Sequence, residues 1–234
     1  MVKNKKIEKL LSQTQYTFVD LCTILEILRG EGGCPWDAEQ THESIRKNFI
    51  EETYEVIEAI DTQNYELLRE ELGDVLLQVV FHTQMEKEVG RFDINDVTTE
   101  VCAKLIHRHP HIFADTEAKT AQEVLSNWEA IKNIEKSRDT LYDKLVSVPA
   151  MSPALMRSQK VAKKSGEFKN ISSEEIAAEI RDLLSSMEQI NGNDKENIIG
   201  QILFNISVLS SKENIDAEEC LYKYTNTFIS KYKD

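Results

Sequence analysis

Residues 51–74, EETYEVIEAIDTQNYELLREELGD, decide the fold. Two acid-rich helical segments flank the polar tetrapeptide Asp61-Thr62-Gln63-Asn64, the composition of a short helix–helix turn. Extended outward, residues 44–61 and 65–89 read as two helices of an antiparallel hairpin. Glu52 and Glu55 are three residues apart, as are Glu71 and Asp74, so each pair projects from one side of its own helix. Glu52 and Asp74 are equidistant from Gln63, and so are Glu55 and Glu71. At about 1.5 Å of rise per residue, the inner pair stands roughly 12 Å above the bend and the outer pair one turn higher. Four carboxylates are therefore expected to converge. Such a cluster is unfavourable without cations, and hard carboxylate oxygens suit Mg²⁺ or Mn²⁺ better than zinc.

Val56, Ile60, Leu72, Val75, Leu76, Val79 and Val80 are expected to form the apolar stripe that packs the hairpin. Gly73 costs about 1 kcal/mol against Ala inside a helix, which predicts a close approach by a neighbour or ligand. Two other readings stand beside the metal site. One is a plain solvated acidic face. The other is a di-iron carboxylate bundle, which requires Glu-x-x-His on two helices, and His82 does not follow a glutamate by three residues.

On the N-terminal side, Phe18, Leu21, Cys22, Leu25 and Leu28 recur at three- and four-residue steps, one stripe of a helix ending at Gly30. The loop GEGGCPWDAEQTH, residues 30–42, breaks that periodicity and is a candidate substrate-facing element. On the C-terminal side, Asp96 is placed to cap a helix running to Arg108, with Pro110 ending it, and another helix is expected from Ala121 to Arg138. A boundary is expected in the proline-containing stretch SVPAMSPALM. Further helices follow from a cap at Ser172 or Ser173, with a break at Asn191-Gly192-Asn193. No segment alternates convincingly as a strand, so the class is all-α. The expected domains are 1–140, a linker at 141–171, and 172–234.

Composition narrows the partners. A net charge of −13 repels polyanions, which argues against nucleic-acid binding and makes a divalent cation the natural intermediary for a small anionic substrate. The four cysteines lack CxxC spacing and read as free thiols of a reducing compartment. The first fifteen residues lack a signal-peptide core, and Val75–Phe81 is too short to cross a bilayer, so a cytoplasmic location without membrane contact is expected.

Three runs, GGCPWDAEQTHESIRKNFIEETYEVIEAI, REELGDVLLQVVFHTQMEKEVGRFDINDV and KLIHRHPHIF, resemble the MazG family, and LYDKLVSVPAMSPALMRSQKVAKKSG extends the similarity over nearly the whole chain. The resemblance implies an all-α nucleoside triphosphate pyrophosphohydrolase, commonly a homodimer, that cleaves between the α- and β-phosphates with Mg²⁺ held by an ExxE…ExxD set. Carried over by position, Glu52, Glu55, Glu71 and Asp74 are the catalytic metal ligands, with Glu51 and Glu70 beside them. Lys104 and Arg108, four apart on one helix, would meet phosphate oxygens, the arginine as a fork and the lysine as a point charge. Trp128 and Trp36 are candidates for the substrate's base. His107, His109 and His111 are not a helical ligand set and are assigned to structure or phosphate contact. The alternatives are a narrower dUTP or dCTP pyrophosphatase, a phosphoribosyl-ATP pyrophosphohydrolase, or a non-catalytic nucleotide-binding regulator.

The pattern recurs in decayed form. A shift of 127 positions lays Glu179 and Asp182 over Glu52 and Glu55, and Gly200 over Gly73, while Ile198 and Gln201 replace Glu71 and Asp74. Residues 172–234 therefore read as a degenerate second repeat of a tandem helical bundle. Catalysis is expected in the first.

Overall fold

The computed structural model describes residues 2–114, 116–135, 140–187 and 193–233, which contain thirteen helices and no strand. The chain folds as two compact units, Met1–Thr120 and Ala121–Asp234.

In the first unit, α1 (Val2–Leu11) precedes α2 (Phe18–Arg29), whose Thr17 and Asp20 form a reciprocal capping box. The glycine-rich loop contains one short helix, α3 (Pro35–Glu39), begun by its proline. Next come the hairpin helices α4 (Arg46–Asp61) and α5 (Tyr65–Glu88), the most extensively packed pair of the unit. Gln63 turns the corner with φ of 54°, and the Asn64 side chain accepts the Leu67 N–H to start α5. Helix α6 (Ile94–Arg108) packs on α5, and α7 (Pro110–Phe113) follows it. Its cap is Asp93 rather than Asp96. Asp93 accepts the Asn95 and Asp96 N–H groups, and Asp96 accepts the Asp93 N–H in return.

The 24 residues of α5 divide in two. Val80, Phe81 and Met85 in its C-terminal half join Leu25 of α2 and Ile45 in the buried core. The hairpin end is less enclosed than its stripe implied: Val80 is buried, Val56, Val75 and Val79 are half-buried, and Ile60, Leu72 and Leu76 are exposed. Their outward placement follows from the core lying against α2, towards the opposite end of α5.

In the second unit, α8 (Ala121–Glu135) precedes α9 (Leu141–Val146), α10 (Ala154–Ser165), α11 (Ser173–Ser186), α12 (Asn193–Lys212) and α13 (Ala217–Ser230). The predicted helix end at Arg138, and Asn191 and Gly192 of the predicted break, lie outside the described residues. Residues 141–171 are not a bare linker. Pro153 opens α10, which packs on α9, α12 and α13, and Ala162 joins Ile176 and Val208 in a buried core. Ser172 caps α11 as expected, in a box with Glu175.

The two units bury corresponding residues. Glu71, Gln78, Val80 and Phe81 of α5 are buried, and so are Ile198, Asn205, Ser207 and Val208 of α12, each 127 positions later. In each unit the long helix packs on its hairpin partner, on a helix that precedes the hairpin and on one that follows it.

Leu25, 1% exposed, is the centre of the first core. Leu25→Ala is expected to destabilise the first unit by about 2–5 kcal/mol, read as a lower urea midpoint at unchanged slope; a midpoint equal to wild type would contradict this packing.

Candidate metal centre

Glu52 and Glu55 reach the site from α4, and Glu71 reaches it from the facing turn of α5. Each offers a carboxylate oxygen, and the three oxygens lie within 4.8 Å of one another. Glu71 is buried at 8% exposure, Glu52 is half-buried and Glu55 is exposed, so the cluster opens outward on one side. Asp74, half-buried one turn along α5, stands outside this 4.8 Å group. Its charge nevertheless acts on both Glu52 and Glu71.

Burial raises the carboxyl of Glu52 above its ordinary value, with Asp74 and Glu55 adding to the shift. Glu71 is raised in the same way, first by burial and then by Glu55, Asp74 and Glu70. Among the described residues none of the four acids forms an ion pair with Lys, Arg or His. The cluster therefore holds uncompensated like charge, which only a proton or a cation relieves. The donor set fits the cation: oxygens on opposite sides of one Mg²⁺ stand about 4.2 Å apart, so a small side-chain rotation brings the three into one shell.

Gly73 does not mark a close approach within the chain. A Cβ there would meet nothing within 4 Å, because the residue faces open space. The close approach is at Gly33, where a Cβ would lie 2.2 Å from the Leu28 carbonyl oxygen.

Lys104 is exposed on α6 while Arg108, one turn later, is buried at 6% exposure, so the two cations occupy different environments. Trp36 is 59% exposed on α3. Trp128 belongs to α8 in the second unit, with the Lys132 ammonium 4.6 Å from its ring centroid. His109 and His111 pack ring to ring at 5.6 Å, and His109 Nδ1 contacts the Leu105 carbonyl at 2.6 Å, a structural arrangement.

One constellation escaped the sequence reading. His42, at the end of the glycine-rich loop, stacks on His82 with the two Nδ1 atoms 2.6 Å apart, and its Nε2 meets the buried Glu86 carboxylate at 2.5 Å. Burial alone would raise Glu86, but His42 and Arg91 outweigh it and hold the carboxyl below its ordinary value. Burial and His42 lower His82. Arg29 completes the anchor, donating to the Asp37 and Gln40 carbonyls and pairing with Glu88. The only advance signal was the i, i+4 spacing of His82 and Glu86.

A model of the MazG nucleotide pyrophosphohydrolase domain matches residues 40–113, which contain the whole carboxylate hairpin. The nucleoside triphosphate pyrophosphohydrolase of Escherichia coli K12 is 38% identical over 223 residues, 92% of this chain and 85% of that protein. The chain belongs to the MazG family. Thermotoga maritima has a MazG relative, named nucleoside triphosphate pyrophosphohydrolase/pyrophosphatase, that is 38% identical over 92% of this chain and 84% of its own length. Protein YabN of Bacillus subtilis is 46% identical over 160 residues, 68% of this chain but 32% of YabN. The MazG-matched segment ends at Phe113 and so leaves Trp128 outside it.

A carboxyl whose folded pKa stands above its unfolded value favours folding below that unfolded value and loses this contribution as pH rises through the folded one. Glu52 and Glu71 are shifted in that direction. A divalent cation held by these acids would compete with the protons, so a rise in Tm on adding Mg²⁺ is expected to be larger at about pH 7.5 than at about pH 5, and to depend less on pH in Glu71→Gln. An equal Mg²⁺ shift at both pH values would contradict the cluster's role.

Proposed function

We propose that this chain is a Mg²⁺-dependent nucleoside triphosphate pyrophosphohydrolase that converts an NTP or dNTP to the monophosphate and pyrophosphate at the first unit. The convergence of Glu52, Glu55 and Glu71 carries the reading, since three acids without a protein cation are a prepared site for a divalent one. Family membership supplies the reaction class. Glu52, Glu55, Glu71 and Asp74 hold the cation, with Mn²⁺ as a substitute. When bound, Mg²⁺ neutralises triphosphate charge and makes a coordinated water a stronger nucleophile.

The remaining groups bind and orient. Lys104, exposed on α6, takes a phosphate oxygen as a mobile point charge, and Arg108 shares the charge of the departing pyrophosphate. Trp36 supplies a flat face for the base, on a loop held in place by Arg29 and His42. The assembly is a homodimer: α4 and α5 leave Ile57, Ile60, Leu72 and Leu76 exposed, an apolar surface that a second copy would cover. A cytoplasmic location agrees with four free thiols and with no described helix being long and apolar enough to cross a membrane.

Incubation with Mg²⁺ and a panel of canonical, deoxy and damaged NTPs is expected to release pyrophosphate rather than single phosphates. Binding without turnover would favour a nucleotide-binding regulator, and turnover of dUTP or dCTP alone would favour the narrower enzyme. Glu55→Ala and Asp74→Ala are each expected to lose more activity than the roughly 10–100-fold typical of an outer-shell metal partner, with the helical circular dichroism unchanged; wild-type turnover in either ends the proposal. Light scattering is expected to give twice the 26.9 kDa chain mass, falling to one chain in Leu72→Asp. A wild-type monomer would refute the dimer.

A further inference from the structure

The second unit contains a cavity of about 570 Å³ between α11 and α12, within the size range of small-molecule sites. It occupies the position in the second repeat that the metal cluster occupies in the first. Glu179, the counterpart of Glu52, lines it from α11, and Gln201, the counterpart of Asp74, lines it from α12. The counterpart of Glu71 is Ile198, which is buried.

Asn205 gives the cavity its second, independent mark. It is 5% exposed, it lines the cavity, and its carboxamide makes no hydrogen bond to any described residue. Neither polar atom of that amide is sealed from solvent, so the otherwise buried side chain presents its amide to the cavity, open to a hydrogen-bonding ligand. The matching residue of the first repeat, Gln78, is also a buried carboxamide, and its Oε1 has no partner.

The lining restricts what that ligand is. A divalent metal lacks its ligands, because an isoleucine and a glutamine replace two of the four acids, and no cluster of three ligating groups forms here among the described residues. A bare phosphate is repelled by Glu179 and Glu196. Neither glutamate forms an ion pair among the described residues. What remains is rich in acceptors: two carboxylates and the amide oxygens of Asn197, Gln201 and Asn205. Phe204, whose ring packs against Phe168 at 5.8 Å, adds an apolar patch to the lining, suited to the methylene groups of an organic cation.

We propose that the cavity between α11 and α12 binds a small organic cation bearing several N–H donors, of the amine or guanidinium class, and that the loss of Glu71 and Asp74 equivalents turned a metal-binding repeat into this site. Asn205 and Gln201 accept from the ligand's interior N–H groups, and Glu179 and Glu196 pair with its charged ends. The inference goes beyond the first unit's hydrolysis and does not require it.

Calorimetric titration of the full chain with spermidine tests it, at physiological salt and with saturating Mg²⁺ to occupy the acids of the first unit. One spermidine per chain is expected. Asn205→Leu and Glu179→Gln are each expected to weaken binding about tenfold or more, as for loss of a hydrogen bond to a charged group. Glu179 lies on the exposed surface of α11, so its variant remains informative if Asn205→Leu fails to fold. Absence of binding to wild type overturns the proposal. So does binding unchanged in Glu179→Gln, which would mark diffuse attraction to an acidic protein. Adenosine or Mg²⁺-ATP taking the site in place of spermidine overturns the ligand class.

Discussion

The structure depends on a repulsion. Glu52, Glu55 and Glu71 are held with oxygens inside 4.8 Å by two helices that the short turn at Gln63 gives little freedom to separate. No described cation sits among them, so the apolar core must offset their mutual cost, and α5 shows how. Its N-terminal half carries Glu71 and Asp74, while its C-terminal half buries Val80, Phe81 and Met85 against α2. The acid cluster and the apolar core share one rod, and packing at one end limits the movement of the acids at the other.

The same core end also secures the loop. Arg29 leaves α2 at its last residue, grips two loop carbonyls and pairs with Glu88 at the end of α5, while His42 ties the far side of the loop to His82 and Glu86. Trp36 is thus presented on an anchored platform. The second unit keeps the helix arrangement and the burial register but has no counterpart of this loop between α10 and α11, and its acids are thinned to Glu179 and Asp182 on α11. The second unit thus repeats the buried positions of the first and keeps fewer of its acids.

What the sequence made legible was local. The hairpin, its turn and the facing of Glu52 and Glu55 towards Glu71 follow from helical periodicity over two dozen residues, and α4 and α5 form where that periodicity places them. Asp93 and Asp96 sit three apart in a reciprocal box, so spacing alone does not say which is the cap. The prolines at 149 and 153 resemble a linker, yet they shape the entry to α10, whose Ala162 is recognisable as core only beside Ile176 and Val208. Gly73 has a helical cost but no neighbour in the chain to explain it. His42 and His82 lie forty positions apart, and only the fold brings their rings together.

The central claim is that the hairpin acids grip a divalent cation together. Paramagnetic titration with Mn²⁺ measures this directly, because the free ion's spectrum is lost on binding. Wild-type protein is expected to remove the free signal at micromolar concentration, and Glu71→Gln, which keeps the shape of the buried side chain and removes its charge, is expected to restore most of it. A Glu71→Gln protein that binds Mn²⁺ as tightly as wild type would show that these acids do not act as one site.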